Sequence, residues 1–106
     1  MQALCPLSDL PPGASAGFEM GVFAVHAPNG IVVYQNACPH LGVPLDWLPG
    51  RFLNQDGTRI VCATHGAEFL IDTGLCVRGP CKGDCLTRVP FSLVNGMLMV
   101  PGGAGL

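Results

Sequence analysis

The sequence predicts an all-β fold, a small antiparallel sandwich or barrel. Three observations predict it. Short apolar runs recur along the chain, each cut by a turn signal. Fifteen Gly and ten Pro leave little room for a long helix. No segment sustains a 3.6-residue apolar period with caps at its ends.

The elements follow in chain order. Residues 22–26 and 31–35 flank Ala27-Pro28-Asn29-Gly30 and read as a hairpin. Residues 59–62 form a strand-like run after Asp56-Gly57. Residues 68–71 and 75–77 flank Asp72-Thr73-Gly74. Residues 92–94 and 97–100 flank Asn95-Gly96, the strongest hairpin signal in the chain, because both turn positions favour positive φ. There is no internal repeat. By length, residues 1–106 make one domain, with 102–106 as a flexible tail.

Composition narrows the function. Apolar residues make up 49% of the chain and charged residues 11%, which suits a packed core and not a disordered segment. The formal charge is -2 and no basic run occurs, so nucleic acid is not an expected partner. The opening MQALCPLSDL has no Lys or Arg and no signal-length apolar stretch, and no run is long enough to span a membrane. A soluble cytoplasmic location with no membrane partner is the expectation. Six cysteines in such a chain point to metal or redox chemistry more than to a disulfide framework.

Two cysteine–histidine pairs carry that chemistry. Cys38-Pro39-His40 is C-x-H, and Cys62-Ala63-Thr64-His65 is C-x-x-H, with 21 positions between His40 and Cys62. Each pair follows a strand-like run and is itself followed by glycine, in Leu41-Gly42 and in Gly66-Ala67. Two matched loops on a β scaffold can close over one metal centre, and thiolates with imidazoles are a suitable ligand set. A structural zinc site uses the same residue types, although usually as C-x₂₋₄-C and H-x₃₋₅-H, spacings absent around these residues. A buried Cys beside a surface His would explain either pair alone, but explains both pairs with their glycines poorly.

CPHLG (38–42) and CATHGAEF (62–69), followed by Asp72-Thr73-Gly74 and Gly79-Pro80, resemble the Rieske iron–sulfur family. The resemblance spans roughly residues 22–100. It implies one [2Fe–2S] cluster per chain, with Cys38 and Cys62 on one iron and His40 and His65 on the other, outer iron. Leu41, Gly42, Gly66, Ala67, Phe69, Gly79 and Pro80 would surround it, the Gly-Pro loop shielding one side. Imidazoles in place of two thiolates make the cluster less negative, so an added electron is easier to accept than in a Cys₄ ferredoxin. The gap between the pairs is longer than the family's usual one, which places a longer loop or hairpin at residues 46–51. The respiratory branch bridges its two loops by a disulfide. The matching positions here are Val43 and Thr64, so the resemblance is to the ferredoxin branch.

The other cysteines need no cluster. Cys76 reads as a small buried hydrophobe, Cys81 and Cys85 as thiols in or after the Gly79-Pro80 loop, and Cys5 as incidental. Cys76 and Cys81 could pair in an oxidised protein. His26 reads as a structural residue at a strand end, Trp47 as a loop or core anchor that could flank the cluster loops, and Asp46 and Asp72 as turn residues. No acid pair, Ser-His-Asp set or phosphate loop suggests an active site. The expected function is therefore one-electron transfer at low potential, between a reductase and a terminal oxygenase or other oxidoreductase. The docking point would be the outer edges of His40 and His65. Two alternatives are a small electron-transfer subunit of an oxygenase or reductase complex, and a zinc-bound structural module.

Overall fold

The computed structural model describes residues 2–18, 21–37, 39, 45, 52–54, 56–62 and 66–102. Among them lie nine strands and one 3₁₀ turn. These are β1 (Gln2–Pro6), the turn Leu7–Asp9, β2 (Ser15–Phe18), β3 (Val22–Ala27), β4 (Gly30–Gln35), β5 (Arg59–Cys62), β6 (Ala67–Leu70), β7 (Cys76–Arg78), β8 (Ser92–Val94) and β9 (Met97–Val100). They form three antiparallel three-stranded sheets, ordered β1-β9-β8, β2-β3-β4 and β5-β6-β7. The all-β expectation holds, and no helix of the described residues is long and apolar enough to cross a membrane.

The hairpins form where the turn chemistry puts them. β3 and β4 pair from Val22↔Gln35 to Ala27↔Gly30, which leaves Pro28-Asn29 as the turn. β8 and β9 join through Asn95 at φ 52 and Gly96 at φ 77, the two left-handed positions that a tight hairpin needs. The predicted strand 68–71 lies one residue earlier in the structure, because Ile71 turns with Asp72 and Thr73. β1 and β2 have no counterpart among the predicted strands. β1 finds its partner at the far end of the chain, with Gln2 opposite Val100, and such a pairing leaves no local turn signal. The expected tail falls mostly on 103–106, outside the described residues.

The hairpin of β3 and β4 is buried on both faces. Alternation sends Phe23, Val25, Ala27, Val32 and Tyr34 into one apolar cluster with Ile60, Phe69 and Ile71 of the β5–β7 region. Val22, Ala24 and Val33 enter a second cluster with Leu10, Val89, Leu98 and Val100. This explains the unbroken apolar run at 22–25: a strand covered on one face alone would alternate. Phe23 stacks on Phe52 with ring centroids 4.4 Å apart.

Tyr34 ties the first cluster to the turn after β6. Its ring is fully buried, and its hydroxyl donates to the Ile71 carbonyl at 2.6 Å. Tyr34→Phe leaves that carbonyl without its partner and should lower stability by about 1–3 kcal/mol. The check is a lower urea midpoint at unchanged slope. Burial pushes the phenol above its ordinary value of 10.0. The unfolded chain therefore releases this proton first as pH rises. The Tyr34 contribution is whole below about pH 10 and falls as pH climbs through the raised folded value, so the gap between wild type and Tyr34→Phe should narrow there.

Candidate metal centre

Cys62 is the last residue of β5 and is fully buried. The antiparallel register sets it opposite Ala67, the first residue of β6, and sets Ile60 opposite Phe69. All four are fully buried on the same face of the sheet. The Gly66 N–H donates to the Cys62 carbonyl at 2.8 Å and ties the two strand ends together. The second cysteine–histidine pair therefore starts from a rigid strand end and not from a free loop.

A second loop leans on this position. A Cβ at Gly79 would stand 2.8 Å from the Ala67 Cα and 3.1 Å from its Cβ, and Gly79 has φ +101. Only glycine permits both the backbone angle and the approach. The loop therefore packs on the residue facing Cys62.

The strand that leads toward the first pair is tied as well. The Asn36 N–H donates to the Gly21 carbonyl at 2.8 Å. Its side-chain Oδ1 accepts from the Leu45 N–H at 2.8 Å. Leu45 is fully buried in the same apolar cluster as Cys62, Ala67, Phe69, Cys76 and Cys81. Residues 36 and 45 bracket CPHLG, so one hydrogen bond joins the two ends of that segment. Asn36 and Leu45 were not among the predicted site residues. The available signal was an Asn two positions before the first cysteine, a residue type that ties backbone in loops.

Of the predicted ligands, Cys62 lies among the described residues, while Cys38, His40 and His65 lie outside them, as do Leu41 and Gly42. Residues 46–51, which include Asp46 and Trp47, are outside too, and so are Val43 and Thr64. Among the described residues no group of three or more His, Cys, Asp or Glu gathers as a metal site. What is described fits an iron–sulfur centre. A buried thiol sits at a fixed strand end, with an apolar surround of Leu45, Phe52, Ile60 and Phe69. With Cys38, His40 and His65 it would make up the two-thiol, two-imidazole donor set such a cluster takes.

The remaining candidates sort cleanly. His26 is structural as expected: its Nδ1 lies 2.8 Å from the Leu10 carbonyl, which can only accept, so Nδ1 carries the proton. Asp72 sits in a turn, accepting from Asn29 Nδ2 at 3.3 Å through its carboxylate and from Arg88 at 3.0 Å through its carbonyl. Cys76 is buried, as expected, and Cys85 is exposed. Cys5 is half-buried, and burial followed by the nearby Asp9 pushes its thiol up, away from the reactive thiolate. Glu68 lies 3.6 Å from Arg78 and 4.0 Å from Arg59 on the open face of the β5–β7 sheet, where such pairs contribute little.

Comparison with known proteins agrees with this fold. Residues 1–93 match the family described as Rieske [2Fe-2S] domain. The fold is similar to the Sphingomonas yanoikuyae B1 ferredoxin, at TM-score 0.70 and 24% identity, covering 92% of this chain and 94% of that one. It is similar to the ferredoxin of carbazole 1,9a-dioxygenase from Nocardioides aromaticivorans IC177, at TM-score 0.70 and 20% identity, covering 94% and 97%. A quaternary ammonium Rieske monooxygenase matches at TM-score 0.73 and 15% identity, over 93% of this chain but 30% of its own. No curated protein matches in sequence.

Proposed function

The chain belongs to the Rieske [2Fe–2S] domain family, and on that premise we propose that it is a one-electron carrier serving a reductase and a terminal oxygenase or related oxidoreductase. The observation that carries the proposal is Cys62, a buried thiol fixed at a strand end under the Gly79 loop, in the second of two Cys/His pairs. Cys38 and Cys62 would hold one iron and His40 and His65 the other. When bound, the cluster takes up and releases a single electron. The protein's part is to hold it. β5 and β6 fix the position of Cys62, the Gly79-Pro80 loop covers Ala67, and Leu45 and Phe69 contribute to the apolar surround.

The chain spans 94–97% of the two ferredoxins but 30% of the monooxygenase. One solved neighbour is a complex of reduced oxygenase and oxidised ferredoxin, with which this chain shares its fold at 21% identity. The same kind of partner suits this chain, in a weak encounter of small area. The reading is of a carrier and not a catalyst in its own right, in keeping with the ferredoxins that share its fold. A cytoplasmic location belongs to the same reading.

The test is a reductive titration with metal and sulfide analysis. The expected protein is brown, holds iron and acid-labile sulfide in equal amounts, and takes one electron per chain. A colourless protein holding zinc would establish the structural-module reading instead. Stable co-purification with a large partner would make the chain a subunit.

A further inference from the structure

Cys76 and Cys81 are not explained by the cluster. Both are 1% exposed, and the Cys81 thiol lies 2.9 Å from the Cys76 sulfur. That is less than about 1 Å beyond a covalent S–S bond of ~2.05 Å. Backbone, and not the sulfurs, sets this proximity. Cys76 N–H donates to the Asp84 carbonyl at 2.8 Å, and Gly83 N–H donates back to the Cys76 carbonyl at 3.0 Å. Asp84 N–H donates to the Cys81 carbonyl at 2.9 Å. Between the two cysteines runs the Gly79-Pro80 loop that packs on Ala67.

We propose that Cys76 and Cys81 are an oxidisable dithiol that hydrogen peroxide converts to an intrachain disulfide, locking the Gly79-Pro80 loop over Ala67. Burial selects a water-sized oxidant over a bulky disulfide such as oxidised glutathione. One cysteine, as thiolate, attacks the peroxide: an S–O bond forms, the O–O bond breaks, and hydroxide leaves as water after taking a proton. The resulting sulfenic acid is attacked by the second sulfur, the S–S bond forms, and the S–O bond breaks. The departing hydroxide takes the second thiol's proton. Two thiols are oxidised by two electrons and one peroxide becomes two waters. Because the sulfurs already touch, the closure needs little backbone movement, and a thiol reductant reverses it.

The test uses the holoprotein. It is exposed to graded hydrogen peroxide, quenched, unfolded in excess alkylating reagent and digested with trypsin, which cuts after Arg51, Arg59, Arg78, Lys82 and Arg88. The expected product is a disulfide joining peptide 79–82 to peptide 60–78, with loss of two alkylatable thiols and of two hydrogens in mass. Fragmentation places the bond at Cys76, with Cys62 alkylated. The visible spectrum persists throughout, and dithiothreitol restores both thiols. Cys76→Ser should abolish the linkage with the spectrum kept, and Cys85→Ser should leave the linkage unchanged. Linkage of 79–82 to 83–88, of 1–51 to 60–78 with bleaching, or no linkage at all would overturn the proposal. The readout is the thiols and not the cluster, so this inference and the carrier reading fail separately.

Discussion

Cys62→Ala should purify without iron and without sulfide. The residue it replaces is fully buried at the end of β5, so no water can take the vacant coordination position cheaply. Cys76 and Cys81 share its apolar cluster but lie sulfur to sulfur at 2.9 Å under their own backbone constraints. Losing an outer partner of a metal ligand costs about 10–100-fold in affinity, and losing a ligand costs more. The same loss is expected for Cys38→Ala, His40→Ala and His65→Ala. The triple variant Cys5→Ser, Cys81→Ser, Cys85→Ser is the control, and it should keep the full visible spectrum. Iron and sulfide analysis of each purified variant is the measurement. A full complement in Cys62→Ala would remove that residue from the site. A folded but colourless triple variant would make one of its cysteines a ligand.

The sequence shows the site more openly than the fold around it. Each Cys/His pair is local, so its spacing survives in the one-dimensional chain. The hairpins at 28–29 and 95–96 are equally local, since a tight turn needs Pro, Asn or Gly at fixed places. β1 is different. Its five residues carry no alternation, and they become a strand because β9 offers an edge at the other end of the chain. β2 is Ser-Ala-Gly-Phe, short and small, and is held by pairing with β3. The double burial of β3 was written in the unbroken run Val-Phe-Ala-Val, yet periodicity alone cannot say what covers each face. Asn36 and Leu45 were missed for a related reason. They act on the segment between them through one hydrogen bond and one buried side chain, and neither has a spacing rule. The closeness of Cys76 and Cys81 depends on backbone bonds from Gly83 and Asp84 that no motif encodes.

A reduction potential near the bottom of the Rieske range, about −150 mV and not about +300 mV, is the second large expectation. Two ferric ions, two sulfides and two thiolates balance to a neutral centre, and one electron makes it an anion. The described surround of that centre is apolar, with Leu45, Phe52, Ile60 and Phe69 buried in the same cluster as Cys62. A low-dielectric setting disfavours the added charge and keeps the potential down. A hydroxyl aimed at a sulfur would work the other way, because its hydrogen bond strengthens on reduction. By the family resemblance, high-potential members place a Ser two residues after the second ligand His and a Tyr four residues after it. Those positions are Ala67 and Phe69 here, and neither carries a hydroxyl. The register makes them the right positions to alter. Ala67 stands opposite Cys62, and Phe69 lies two residues along the same buried face. The double variant Ala67→Ser, Phe69→Tyr should therefore raise the potential. Each bond that gains ~1 kcal/mol on reduction corresponds to about 40 mV for a one-electron couple. The serine must fit beneath Gly79, whose backbone already crowds Ala67, so Ala67→Ser alone should also cost some stability. Phe69→Tyr alone avoids that contact and separates the electronic effect from the steric one. Protein-film voltammetry of the wild type, both single variants and the double variant is the measurement. A wild-type potential well above zero would refute the low-potential reading. An intact double variant with no upward shift would show that the face shared with Cys62 does not tune the cluster.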